Sequence, residues 1–406
     1  MNAVYRICFG ADHTTEERIS ALMEGIAAAN RMPQARCITV TALGDCFLTG
    51  AVCEAQQRAY EAAMDRNALP VLVAVNGACA GIGLDLLRRA DLACAAPHAS
   101  IEGYVDAQAA LEAFEINEVA EPEAFLAQYA QRLIAMPEPL IRFGHRTYFA
   151  MEKLPDKLQR SQYGASVIDE VMSIQAQLNR AVRAANGGSD PYSDVEPDEE
   201  IAYAHPFDEQ HAILFEFRDD VEYIQLNAPR FRNMFDWRSS MELAGAYAIA
   251  NTMPELKAIV VTGTGKRFHL GGIRHNQDDP YEQARFAEQL RIRNQIMRQI
   301  RVPLIAAVNG ECSGGGMSLV LKAQVVIAAE SATFGYPEIR HQGFACNSMV
   351  NTMGVIPKKP ALKCFYFGDL FSAREAQRFG FVHQVVPDDQ LEEAVERTLA
   401  GLRQTR

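Results

Sequence analysis

Leu304-Ile305-Ala306-Ala307-Val308-Asn309-Gly310-Glu311-Cys312-Ser313-Gly314-Gly315-Gly316 opens as an apolar run of strand length and closes in a turn built from glycine. A near twin lies in the first half of the chain: Val71-Leu72-Val73-Ala74-Val75-Asn76-Gly77-Ala78-Cys79-Ala80-Gly81-Ile82-Gly83. Upstream of the twin, Cys37–Gly44 is followed by Phe47-Leu48-Thr49-Gly50-Ala51. Its counterpart in the second half is Ala258–Gly265 followed by Phe268-His269-Leu270-Gly271-Gly272. Helical segments ending near Asn30–Pro33 and Asn251–Pro254 precede the two copies, and downstream Arg89–Ala96 matches Lys322–Ala329. The matches fall in one order in both halves, as a tandem duplication requires. Each unit reads as short apolar strands alternating with amphipathic helices, an α/β fold with helix-covered sheets.

The chain has 406 residues, which suits two domains rather than one core. Ala185-Asn186-Gly187-Gly188-Ser189-Asp190-Pro191-Tyr192-Ser193-Asp194, followed by the acidic Glu196–Glu200, reads as an exposed linker. The expected domains are therefore 1–205 and 206–406. The longest apolar runs, such as Leu69–Val75 and Val302–Val308, fall far short of a membrane span, and the opening Met1–Arg6 carries no basic-then-apolar leader pattern. Nine cysteines occur without a CxxC pair, which argues against a zinc site and a disulfide framework. Most read as small buried hydrophobes of a protein kept in a reducing cytoplasm. A formal charge of -12 argues against a nucleic-acid surface.

The second unit carries two glycine turns, each directly after an apolar strand: Phe268–Gly272 and Asn309–Gly316. Glycine lets a backbone approach a ligand with its N–H groups exposed. Two such groups converging on one oxygen form an oxyanion hole, in which a donor is worth about 3–4 kcal/mol in a transition state. Packing glycines would look the same from the sequence alone. Gly314-Gly315-Gly316 has neither the lysine of a phosphate loop nor the spacing of a dinucleotide fingerprint.

Taken in order, Phe268–Gly272, Ala307–Gly316, Phe334-Gly335-Tyr336-Pro337-Glu338-Ile339, Phe371–Ala376 and Gly380–Pro387 resemble the motifs of the crotonase (enoyl-CoA hydratase/isomerase) superfamily. The resemblance covers about residues 211–400. It implies two tandem crotonase-like domains of ββα-repeat spiral form, the first truncated. It also implies an acyl thioester substrate, carried on coenzyme A or on the phosphopantetheine of an acyl carrier protein. The oxyanion donors would be the N–H groups of Gly272 and Gly315, with Gly271, Gly314, Ser318, Tyr336 and His269 around the substrate. Neither a metal nor a redox cofactor is implied.

Family hydratases use two glutamates. One is present as Glu338, but Ser318 stands where the other belongs. A hydroxyl does not do a carboxylate's proton transfer at neutral pH. Chemistry with a single base and an enolate remains: isomerisation, decarboxylation, retro-Claisen cleavage, thioester hydrolysis, or dehydration with a substitute acid. His269, His275 and His341 are candidate substitutes, with His341 three residues beyond Glu338. Glu338 would otherwise simply favour a helix start after Pro337. Gln342 and Asn347, in a stretch that shapes the acyl tunnel in the family, suggest a functionalised acyl chain. The divergence of a tandem enzyme, rather than any residue, suggests a carrier-protein-bound intermediate of polyketide or related specialised biosynthesis.

The first unit lacks these groups. Ala51 and Ile82 occupy the oxyanion positions, Asp85 stands in place of Ser318, and Val105 stands in place of Glu338. From Glu338 to Val382 is 44 positions, against 11 from Val105 to Ile116, so about 33 residues of the acyl wall are missing. Phe47 to Asn76 spans 29 positions, against 41 from Phe268 to Asn309, and a first strand is missing too. The unit is expected to be catalytically dead. It alone carries helices Glu138–Arg146 and Lys153–Ala185, the latter with Val167, Val171, Ile174 and Leu178 at helical spacing. Such helices drive trimerisation in the family and roof the site, so the expectation is that they complement unit two, in a trimer of tandem chains. A non-catalytic scaffold is the rival reading.

Overall fold

The computed structural model describes residues 3–186, 211–272 and 280–404. The chain gathers into two compact units that are not simply its two halves. The first holds Met1–Ile174 together with two returns from the C-terminal half, Gln342–Cys346 and Pro357–Gly368. The second holds Gln175–His341, Asn347–Ile356 and Asp369–Arg406. The expected linker beyond Asn186, and the boundary near residue 205, lie outside the described residues.

Unit one runs β1 (Val4–Phe9), α1 (Thr15–Arg31), β2 (Cys37–Ala42), β3 (Cys46–Leu48), α2 (Glu54–Arg66), β4 (Val71–Val75), β5 (Ala78–Cys79), α3 (Ile82–Arg89), β6 (Leu92–Ala95), β7 (Ser100–Ile101), α4 (Ala107–Glu112) and β8 (Glu118–Val119). Its strands form a parallel sheet in the order β1-β2-β4-β6-β8 and a small parallel sheet β3-β5-β7. Every residue of β2, β4 and β6 is buried, as unbroken apolar runs demand of strands covered on both faces. Helix α1 starts in a capping box, Thr14 with Glu17, and packs Ile19, Leu22 and Ile26 into the core. Helices α5 (Pro122–Ala135), α6 (Glu138–Glu152), α7 (Lys157–Ser166) and α8 (Ile168–Ala185) follow. The tract expected as one helix over Lys153–Ala185 is thus two. Asp156 caps α7 through the Gln159 N–H, and the helix stops at Val167.

Unit two contains β9 (Ile213–Arg218), β10 (Val221–Leu226), α9 (Trp237–Ala250), β11 (Ala258–Gly263), β12 (Arg267–His269), α10 (Pro280–Met297), β13 (Leu304–Val308), β14 (Glu311–Ser313), α11 (Gly315–Val320), β15 (Val325–Ala329), β16 (Thr333–Gly335) and α12 (Cys346–Thr352). After α13 (Lys358–Phe367), which clusters with unit one, come β17 (Leu370–Ser372), α14 (Ala373–Phe379), β18 (Gln384–Val386) and α15 (Leu391–Gln404). The large sheet is ordered β18-β15-β13-β11-β10-β9 and the small one β12-β14-β16-β17. Without β9 and β17, both antiparallel additions, these orders repeat those of unit one strand for strand. Strand β9 has no counterpart among the described residues of unit one. The interval missing from unit one corresponds to α12, α13 and β17, and there unit one leaves Val105 94% exposed.

Candidate active site

All the groups of the candidate site belong to unit two. Strands β12 and β14 pair in parallel, His269 against Cys312, and each runs straight into its glycine turn. The two turns therefore lie against each other. A Cβ built on Gly271 would stand 3.1 Å from the Gly315 nitrogen, and one on Gly315 would stand 3.3 Å from the Gly271 Cα. Gly271 at φ +96° and Gly314 at φ +54° adopt left-handed backbone that side chains disfavour. The Gly271 carbonyl accepts the Phe235 N–H at 2.8 Å, and Phe235 bridges in parallel to Gly272. The N–H groups of Gly272 and Gly315 donate to no acceptor among the described residues. Two adjacent backbone donors are thus left unpaired among the described residues.

A buried clasp sets this geometry. Asn233, fully buried at φ +53°, donates from Nδ2 to the carbonyls of Thr264 (3.0 Å) and Arg267 (2.7 Å) and accepts the Ala228 N–H on Oδ1 at 2.9 Å. Its own carbonyl accepts Nδ1–H of His269 at 2.6 Å. The His269 ring is 3% exposed and lies 4.1 Å from the Phe235 ring. Burial pushes its pKa down to about 3, against the opposing pull of the Asn233 carbonyl and with the help of the Arg293 charge. The ring is therefore neutral at physiological pH, with Nε2 as an acceptor 3.6 Å from the Cβ position of Gly315. That tautomer has no proton on the nitrogen facing the turn, so His269 supports the hole from beneath rather than serving as an acid.

Glu338 follows Pro337 in a 3-10 turn, Pro337–His341. Its Oε1 lies 2.6 Å from where a Cβ on Gly314 would be, so the glycine makes room for the carboxylate beside the two donors. His341 ends the same turn and is exposed. Ser318 sits one turn into α11, and its Oγ is 2.9 Å from Ser348 Oγ. Ser348 also reaches the Gly314 carbonyl at 3.4 Å. Thr352 donates to the Ser348 carbonyl at 2.9 Å and pairs with the Tyr336 hydroxyl. Tyr336 is 1% exposed and belongs to the wall behind the site. A row of hydroxyls thus lies where a hydratase's second carboxylate is expected. In unit one, Asp85 makes an ion pair with Arg89 at 2.8 Å. His275 and the side chain of Asn347 lie outside the described residues.

The sequence reading missed Asn233, Phe235, Ser348 and Thr352. Asn233 offered one signal, since asparagine tolerates a left-handed backbone better than most residues. Phe235 acts through its N–H, which no residue type encodes. Ser348 and Thr352 meet Ser318 and Tyr336 only once the fold has closed.

The sequence model of the enoyl-CoA hydratase/isomerase family matches residues 216–405. An (E)-benzylidenesuccinyl-CoA hydratase of Thauera aromatica is 31% identical over 43% of this chain and 69% of its own length. The chain belongs to the enoyl-CoA hydratase/isomerase family. Other family relatives are a mevalonyl-coenzyme A hydratase of Aspergillus fumigatus, 34% identical over 41% of this chain and 63% of its own, and a (7aS)-7a-methyl-1,5-dioxo-2,3,5,6,7,7a-hexahydro-1H-indene-carboxyl-CoA hydrolase of Mycobacterium tuberculosis, 31% identical over 44% and 70%. Among eight of the curated relatives it matches, the chain spans from 59% to 70% of their length. An enoyl-CoA hydratase/isomerase structure from Mycobacterium paratuberculosis aligns at 28% identity, with a TM-score of 0.42, over 47% of this chain and 75% of that one. No helix among the described residues is long and apolar enough to cross a membrane.

Proposed function

We propose that the protein acts on an acyl thioester, of coenzyme A or of an acyl carrier protein, through an enolate formed with Glu338 as its single carboxylate base. The observation that carries this reading is the meeting of three groups. Two unengaged N–H donors, on Gly272 and Gly315, adjoin a carboxylate accommodated at Gly314. Glu338 takes the proton from the carbon beside the thioester carbonyl. The electron pair moves onto the carbonyl oxygen, and the two N–H groups stabilise the charge that develops there. Returning the proton at another carbon isomerises a double bond, and loss of a β-hydroxyl from the enolate gives dehydration; in a decarboxylation, departure of CO2 from the carbon beside the carbonyl would itself leave the enolate in the same pair of donors, and a proton would then quench it. The relatives' names span hydration and hydrolysis of CoA thioesters, so family membership leaves the reaction open. The Ser318–Ser348 pair supplies hydroxyls and no second carboxylate, which favours reactions needing one proton shuttle. It also suits a functionalised acyl chain of specialised metabolism. A trimer of such chains is the assembly proposed with this reading.

The test is a mass-spectrometric screen of acyl-CoA and acyl-carrier-protein thioesters in deuterated water, comparing wild type with Glu338→Gln. Deuterium uptake that disappears in the variant supports the reading, and the product mass names the reaction. A wild-type protein that is folded yet exchanges no thioester proton would turn the assignment toward a non-catalytic scaffold.

A further inference from the structure

Within unit two, helix α10 packs along α9 and carries Arg293 about one turn before its end. Arg293 is part-buried, and its guanidinium meets neither a hydrogen-bond acceptor nor a carboxylate among the described residues. Its Cζ stands 5.9 Å from the centre of the Phe235 ring, which in turn stands 4.1 Å from the His269 ring. The two spacings together put the charge no more than about 10 Å from that histidine. Both neighbours shape the pair of donors. The Phe235 N–H holds the Gly271 carbonyl at 2.8 Å, and His269 Nε2 lies 3.6 Å from the Cβ position of Gly315. Burial holds Arg293 below the ordinary arginine range, against the opposing influence of Tyr247. Tyr247 of α9 is fully buried with its hydroxyl unpaired, and burial keeps that hydroxyl protonated, so it offers no negative charge. Glu222 of β10 reaches Tyr247, but burial alone sets its own titration.

A part-buried charge without a partner costs stability, and a methionine at that place would pack without the cost. The cost is offset where negative charge arrives nearby. The proposed chemistry delivers such charge at one point, the thioester oxygen, as the enolate forms. We infer that Arg293 is a positioning residue for the enolate: its guanidinium backs Phe235 and sets a positive field behind the Gly272 and Gly315 donors. The effect acts through space and through Phe235, without contact between Arg293 and substrate. Being fixed before the reaction, the charge needs no rearrangement when the oxyanion appears. This role rests on the thioester reading and deepens it, since it names a source of positive potential at the hole besides the two N–H groups and places it in the same unit.

The test is the pH midpoint at which bound acetoacetyl-CoA turns to its absorbing enolate, measured on the full chain. Wild type is compared with Arg293→Met, Arg293→Gln and Arg293→Lys. Methionine and glutamine remove the charge, and lysine restores it on a different head group. Glutamine keeps a polar end and carries the test if the methionine variant does not fold. Without the charge the midpoint is expected to rise by about one pH unit, as for a unit charge about 10 Å away at an effective dielectric constant of about 20. In Arg293→Lys the midpoint is expected to return toward wild type. Affinity for the un-ionised ligand at acid pH should stay as in wild type, which a merely structural loss would not allow. Equal midpoints in wild type and the charge-free variants would overturn the role. So would a lysine variant displaced as far as the methionine one, because shape rather than charge would then matter. A wild type that forms no enolate from acetoacetyl-CoA at any pH would sink the thioester reading itself, and this role with it.

Discussion

The two glycine turns that open α3 and α11 have almost the same backbone, with Gly81 at φ 56°, ψ -119° and Gly314 at φ 54°, ψ -118°. They differ in what the next N–H does. In unit one the Ile82 N–H donates to the Gly50 carbonyl at 3.0 Å, so the would-be oxyanion donor is consumed inside the protein. In unit two the equivalent carbonyl, Gly271, is occupied by the Phe235 N–H, and the Gly315 N–H stays available. Beyond the turns, the carboxylate of unit one falls on Glu102, which accepts the Gly81 N–H at 2.6 Å, while in unit two that N–H goes to the Gly335 carbonyl. One fold leaves the N–H after the turn paired or unpaired according to which backbone groups already bond to each other.

The largest effect expected from breaking this contrast is at the base. Glu338→Gln keeps the shape beside Gly314 and removes proton transfer, so solvent-deuterium exchange should fall by about 10²–10⁴-fold with little change in thioester affinity. An equal loss of affinity would mean that the carboxylate binds rather than reacts. Next comes Gly315→Ala, a step toward the isoleucine of unit one. Its Cβ would press on the Gly271 Cα at 3.3 Å and crowd His269 Nε2 at 3.6 Å, displacing one of the two donors. Removing one such donor costs about 10²–10³ in kcat. An unchanged kcat would show that the Gly315 N–H is not a donor to the transition state.

Much of this contrast was legible in the sequence, and the reasons are specific. Fold class came from strands such as Val71–Val75 and Leu304–Val308, whose unbroken apolar runs and glycine ends have few other solutions. The donors and Glu338 sit at fixed offsets within local motifs, so chain position placed them. The hidden features depend on long-range pairing: the 36-residue separation between Asn233 and His269, and the 30-residue one between Ser318 and Ser348. The path of the chain through both units was hidden too, since nothing local in Lys359 or Tyr366 says that the one reaches the Leu87 and Ala90 carbonyls and the other Asp91.

A smaller effect tests a difference in the sheets. Tyr5 of β1 and Glu222 of β10 hold the same register, opposite Ile38 and Ile259. Glu222 is fully buried, and neither carboxylate oxygen has a partner among the described residues. Burial raises its pKa to about 7. Between the ordinary carboxylate range and about pH 7 the folded chain therefore holds a proton that the unfolded chain has released. The contribution to stability is present at low pH and lost as pH rises through 7, at up to about 1.4 kcal/mol per pH unit. Denaturant titrations across that window should show the slope in wild type and a flatter one in Glu222→Gln. Identical slopes would assign the titration to another group.

The smallest expected effect is the most discriminating. Ala51 is the residue that stands in unit one for Gly272, and it is exposed in its loop. If loss of glycine had silenced the unit, Ala51→Gly in a Glu338→Gln background should restore some polarisation of a bound thioester. The hydrogen bonds predict otherwise. The Ile82 N–H remains committed to Gly50, Val105 still offers no base, and a single donor has no partner with which to form a hole. Ala51→Gly should leave the enolate absorbance of added acetoacetyl-CoA where Glu338→Gln alone puts it, with a stability change below about 1 kcal/mol. A gain of that absorbance would mean that the Ile82–Gly50 bond opens readily and that unit one is a dormant site rather than a dead one.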